Sequence, residues 1–259
     1  MRQAWVIAKR EVRGLVSSPG GWLVLGTFWF VAGLLLVSLL FRFRDGTIAL
    51  AQSGQLRTGE SGLHVNDWVI RPLLYNLGTV LVLFVPLLTM RSFAEERRSG
   101  NLELLLSQPV RGADLVLGKF FGSMLGLALC LSVLVVHFAV LAAVTRPDWG
   151  ATWVGLGGLL LLGLLFNAVG LWVSVLTRSQ IEAGVLSLGA LLLLVIGPGA
   201  NAEGPNWTQS ILGSFAILPR FEDFTRGLLD LGHVAFFGGV ILILLAAALR
   251  SVDLVRWQG

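Results

Sequence analysis

The sequence predicts an all-α integral membrane protein with six transmembrane helices and an amphipathic helix at its N-terminus, and three observations predict it. The 259 residues are 55% hydrophobic and 13% charged, with a mean hydropathy of +0.81, whereas a soluble domain carries about 25% charged residues. The missing charge leaves six long uncharged stretches, each near the roughly 20 residues with which a helix crosses a hydrocarbon core of about 30 Å. None of the six alternates apolar with polar residues as a barrel wall does, and a helix satisfies its own backbone in lipid. The whole chain, 1–259, is expected to form one membrane domain.

Residues 1–18 come first. Trp5, Ile7, Ala8, Val12 and Leu15 are interleaved with Lys9, Arg10, Glu11 and Arg13, the pattern of a basic helix lying in the membrane interface. Ser17, Ser18, Pro19, Gly20 and Gly21 then break it. The first span is 22–41. It is too long for a signal peptide, and Arg42 and Arg44 stand where small cleavage-site residues belong. An outer loop, 42–71, leads to the second span at 72–90. The third and fourth spans, 120–145 and 150–177, are joined by four residues, which predicts a tight antiparallel pair. The fifth span is 183–200 and the sixth 231–249. Between them, 201–230 is an outer segment with an apolar run at 211–218, too short to cross. Gly122 and Gly126, Gly26 and Gly33, and Gly163 and Gly170 share helix faces and predict close helix approach.

With six spans both termini share one side. That side holds Arg2, Lys9, Arg10, Arg13, Arg91, Arg97, Arg98, Arg111, Lys119, Arg178, Arg250 and Arg256, 12 of the 19 basic residues. The positive-inside rule makes it cytoplasmic. The net charge of +4 therefore describes topology and not nucleic-acid binding.

Catalytic patterns are missing. Gly118-Lys119 resembles the end of a phosphate-binding loop, but Gly112 is one residue too far off and Phe120 stands where Ser or Thr would hold magnesium. There is no His-Glu-x-x-His pattern and no Gly-x-Ser-x-Gly turn. Cys130 is the single cysteine, so there is neither a disulfide frame nor a cysteine metal site. The six uncharged stretches leave His137 as the central ionisable group. A lone histidine there is expected to hydrogen-bond a neighbouring helix, as are Asn76 and Asn167, and the absence of mid-membrane carboxylates argues against an ion-coupled carrier.

The informative stretch lies between the second and third spans. Glu95, Glu96, Arg97 and Arg98 extend the second helix beyond the membrane. Gly100 permits a sharp turn, Asn101 caps a new helix, Glu103 favours its first turn, and Pro109 ends it. Leu102, Leu104 and Leu105 on this tip face no lipid and need a partner.

This stretch resembles the cytoplasmic loop of ABC-2 type transporter permeases. Gly100, Glu103, Leu104, Leu105 and Pro109 match that family's pattern, and Asn101 replaces its usual Thr. The sequence 91–109, with Leu117–Phe120 after it, looks closest to permeases of the gliding-motility-associated type. Thr177, Arg178 and Ser179 look like the family's second cytoplasmic turn, and 221–231 like its outer segment before the last span. The resemblance covers essentially the whole chain. It implies the ABC-2, type V exporter-like fold in a bacterial inner membrane, with no ATPase in this chain. ATP and Mg would be bound by a cytoplasmic ABC ATPase present in two copies. A second permease, identical or a paralogue, would complete the complex, and the resemblance leaves room for an auxiliary membrane subunit with an outer domain. Residues 101–107 would form a coupling helix in a groove of the ATPase, with Glu95, Glu96, Arg97, Arg98 and Glu103 setting register, and Thr177–Ser179 beside it. The apolar interior favours a lipid, glycan or other amphiphile over a free ion as substrate. Two rivals stand beside a transporter: an intramembrane enzyme, which would need polar residues converging at membrane depth, and a scaffold or mechanotransmission subunit driven by the same kind of ATPase.

Overall fold

The computed structural model describes residues 2–52, 64–98, 111–196 and 216–258. The elements among them are helical: α1 (Arg2–Ser17), α2 (Pro19–Gln52), a π-turn (Asn66–Ile70) running into α3 (Arg71–Thr89), α4 (Ala94–Arg98), α5 (Gly112–Leu131), α6 (Val133–Val144), α7 (Trp149–Leu176), α8 (Gln180–Ile196), α9 (Ile217–Thr225) and α10 (Leu231–Gln258). Five helical stretches, Pro19–Gln52, Asn66–Arg98, Gly112–Val144, Trp149–Leu176 and Leu231–Leu254, are long and apolar enough to span a membrane. Gln180–Ile196 is apolar and shorter, at 17 residues, and the expected fifth span extends from it to 200, outside the described residues.

Several boundaries differ from those the sequence predicts. The helix that carries the first span does not stop with the apolar stretch at 41, since α2 runs on to Gln52 as one helix of 34 residues. At 1.5 Å per residue that is roughly 50 Å, well beyond the hydrocarbon core. Arg42 and Arg44 end the apolar wall without ending the helix, and Arg44 pairs with Asp45 at 3.0 Å. The second span does not continue unbroken to Arg98. α3 stops at Thr89, a turn follows through Phe93, and α4 is a separate piece. The helix of the third span starts at Gly112, so Lys119 lies inside it.

That third span is broken at Ser132. The carbonyls freed there find partners: Trp29 Nε1 donates to Leu129 O and Cys130 O at 3.2 and 3.1 Å, and the Ser132 hydroxyl donates to Leu129 O at 2.7 Å. In lipid such satisfaction is what permits a break. The short connection to α7 does not make a tight pair along its whole length. α5 packs on α7, while α6 leans on α2.

α7 is the central post. Of its most apolar window 72% is buried, against 28% for α2 and 11% for α10. α3, α5, α8, α9 and α10 all pack on it. Small residues permit this: a Cβ at Gly163 would lie 2.6 Å from Leu127 and one at Gly170 2.2 Å from Thr89. Gly26 and Gly33 have nothing described within 4 Å, so the approach expected on their face is not made within this chain.

α9 packs across the end of the bundle opposite α4. Its Phe221 and Phe224 are buried on Gly78 and Gly158, where a Cβ would come within 2.5 Å of the Phe221 ring and 2.3 Å of the Phe224 Cβ. Pro219 sits in the first turn of α9, where proline costs no helical hydrogen bond. Gly227, with φ of +83°, ends it in a Schellman turn: Gly227 N–H donates to Phe224 O at 2.9 Å and Leu228 N–H to Asp223 O at 3.0 Å.

Candidate functional site

One end of the bundle, the end the charge bias predicts to be cytoplasmic, is built on α1, α4, α5 and the foot of α7. α1 is amphipathic, as its sequence predicts, and it seats along α5. Ala4 and Ile7 meet Gly118, Ala8 and Glu11 meet Gly122, and Leu15 meets Gly126. Both chains advance together, so α1 and α5 run parallel over this contact. Gly122 thus receives α1, and Gly126 receives α1 with Leu88 of α3 beside it at 3.9 Å. A Cβ on Gly122 would stand 2.6 Å from the Cβ of Glu11.

α4 is docked on the last turn of α7. The Phe93 and Ala94 N–H groups donate to Ser174 Oγ at 3.0 and 3.2 Å, which supplies the free donors of a helix start. Arg97 Nη1 donates to Val175 O at 3.0 Å, satisfying a carbonyl at a helix end. Thr177 caps that end, buried, with its hydroxyl on Val173 O and Ser174 O at 3.2 and 3.4 Å.

Lys119 lies between these pieces. Its side chain is 1% exposed. Its ammonium donates to Glu11 Oε1 of α1 at 2.8 Å and to the Ser92 carbonyl of the intervening turn, and it forms an ion pair with Glu96 Oε2 of α4 at 3.0 Å. The Phe93 ring covers it, with Nζ 5.0 Å from the centroid. Arg10 Nη2 reaches the other Glu96 oxygen at 2.6 Å. Two cations and two carboxylates thus balance. Around them opens a cavity of about 800 Å³, with Arg10, Glu11, Arg91, Glu95 and Lys119 on its walls and Leu15 and Leu88 beside them.

The residues singled out in the sequence divide here. Glu96 and Arg97 point inward and are bound within the chain, while Glu95 and Arg98 are exposed. Arg178 is exposed beside Thr177, and Ser179 accepts at its carbonyl from Ala183 N–H at 3.0 Å. Gly100, Asn101, Leu102, Glu103, Leu104 and Leu105 lie outside the described residues. Arg10, Glu11, Ser174 and Lys119 were not among the site residues expected from the sequence. For Lys119 a signal exists, since it stands in an otherwise uncharged run from Leu115 to Leu131.

The opposite end carries a smaller charge cluster. Arg71 and Arg226 both donate to Glu222 Oε1, at 2.7 and 2.9 Å. The hydrogen bond from Arg71, partly offset by desolvation and reinforced by Arg226, holds the Glu222 carboxyl below its ordinary value of 4.5. Asn66 and Asp148 tie the π-turn to the start of α7 by two hydrogen bonds of 2.8 and 3.0 Å. At membrane depth His137 is buried and its Nδ1 has no partner among the described residues, so the interhelical bond expected of it is not made by that atom. Asn167 does bridge helices, donating to Phe120 O at 3.4 Å. No group of three His, Cys, Asp or Glu fit to hold a metal occurs among the described residues.

Comparison with known proteins agrees with this architecture. The family described as ABC-2 family transporter protein matches residues 5–251. A probable ABC transporter permease protein NosY of Stutzerimonas stutzeri is 29% identical over 204 residues, 76% of this chain and 68% of the relative. Its counterpart of the same description in Pseudomonas aeruginosa is 28% identical over the same shares.

Proposed function

Since the chain belongs to the ABC-2 transporter family and is a permease subunit of an ABC transporter, we propose that the cytoplasmic end described above is where a separate ATPase drives it. The observation that carries this is the docking of α4. Its first N–H groups are held by Ser174 and its Arg97 by Val175, so the chain leaving Arg98 is anchored to the central helix of the bundle. A push on 99–110 is thereby applied to α7. Leu102, Leu104 and Leu105 would bury in the ATPase, and the exposed Glu95, Arg98 and Arg178 would form its charged surround.

In this reading ATP and Mg are bound by two copies of the ATPase, and this chain does no chemistry of its own. Two permeases pair in the inner membrane of a bacterium, with both termini and the α4 end cytoplasmic and α9 outside. The apolar stretch beginning with α8 completes a sixth crossing through 200.

Purification of the tagged chain in mild detergent tests the reading. A P-loop ATPase is expected to accompany it and to be lost from the Leu104→Asp/Leu105→Asp variant at unchanged chain yield. An ATPase retained by that variant would remove the seat from this loop. A chain that carries no ATPase, from cells that express one with it, would remove the reading as a whole.

A further inference from the structure

Lys119 joins three separate stretches of chain: it hydrogen-bonds Glu11 of α1 and the Ser92 carbonyl of the turn after α3, and it pairs with the Glu96 carboxylate of α4 at 3.0 Å. Arg10 of α1 grips the same Glu96 from its other oxygen. Beside these charged arms, α1 lies along Gly118, Gly122 and Gly126 of α5, with Leu125 near its Val12 and Val16. α1 then passes through Ser18 and a tight turn into α2, in which Gly21 N–H donates to Ser18 Oγ at 3.0 Å. α2 is only lightly packed on the bundle, with 28% of its apolar window buried.

From this arrangement we propose that Lys119 is a positioning residue of the drive. Through Glu96 and Glu11 it carries a displacement of α4 to α1, which slides on its glycine groove and takes the start of α2 with it. The inference rests on the reading of 99–110 as the ATPase seat. An ion cluster that only held the fold together would not need to join the piece next to that seat to a helix that feeds another span. The sharing of Glu96 between Arg10 and Lys119 keeps α4 and α1 linked even if one arm lengthens.

The test is hydrogen exchange on the permease–ATPase complex in nanodiscs, without nucleotide and trapped with ATP and vanadate. Peptides from 3–17 report α1 and peptides from 90–98 report α4. In the native chain both are expected to change on trapping. In Glu11→Gln the α1 change should shrink. In the double variant Arg10→Gln/Glu11→Gln it should be lost while the 90–98 change persists, because Lys119 and Glu96 still pair. An α1 change of native size in the double variant, or none in the native chain while 90–98 responds, would overturn the transmission and leave the ATPase seat standing. If 90–98 responds in no variant, the seat and the transmission fall together.

Discussion

The most exacting residue in this protein is a lysine that no longer sees water. Taking an ammonium out of solvent costs several kcal/mol, which only well-placed partners offset. Lys119 has them in Glu11, Glu96 and the Ser92 carbonyl. Lys119→Met would strand Glu11 beside an apolar side chain and leave Glu96 with Arg10 alone. It is expected to destabilise the fold by about 3–5 kcal/mol, seen as a lower melting temperature in detergent. Adding Glu11→Gln and Glu96→Gln should recover much of that loss, since the stranded charges are gone. Glu222 shows the opposite case, an ion pair near the surface. Its carboxyl is held below 4.5 by Arg71, so its contribution is fully present above pH 4.5 and fades as pH falls through the lower folded value. The melting temperatures of the native chain and Glu222→Gln should differ at pH 7 and converge as the pH drops below that window. A gap of constant size would show that Arg71 and Arg226 do not hold this carboxylate.

At the scale of elements, the lesson is what a small-residue face does and does not announce. The spacing of Gly122 and Gly126 tells that something comes close, and says nothing of what. The close neighbour is α1, a helix whose basic and Trp-bearing pattern points toward the membrane interface. Gly122→Leu should force α1 off α5, because even a Cβ there meets Glu11 at 2.6 Å. Such overpacking typically costs about 1–3 kcal/mol. Trypsin should then cut at Lys9, Arg10 and Arg13 faster than in the native chain, and an unchanged rate would mean that the groove does not hold α1. The long apolar helices were legible because uncharged stretches of that length have few alternatives in lipid, whereas α9, short and of mixed composition, was not. Helix ends were not legible either. Arg42, Arg44 and Lys119 mark where the apolar wall stops, yet a charged residue does not break a backbone ladder, and both α2 and α5 run past them.

At the scale of the whole molecule, the bundle is organised around α7, with α3 and α7 buried and α2 and α10 open. That ranking was not visible in the sequence, where all of these helices are about equally apolar. Hydropathy distinguishes membrane from water, but lipid and protein neighbours are equally apolar, and only packing separates them. The candidate site was half legible for a related reason. Glu95–Arg98 stand out as charges beside an apolar run, but which of them turn inward depends on Ser174 and Val175, some eighty residues away. The seat of α1 on Gly118, Gly122 and Gly126 also sets an order of events during synthesis. α1 leaves the ribosome ahead of α5, and the surface it rests on is not made until more than a hundred residues later. Until then its apolar face has only lipid or a chaperone to lean on. A nascent chain stopped after the second span should therefore carry an undocked and protease-sensitive leader, which becomes protected once residue 126 has emerged.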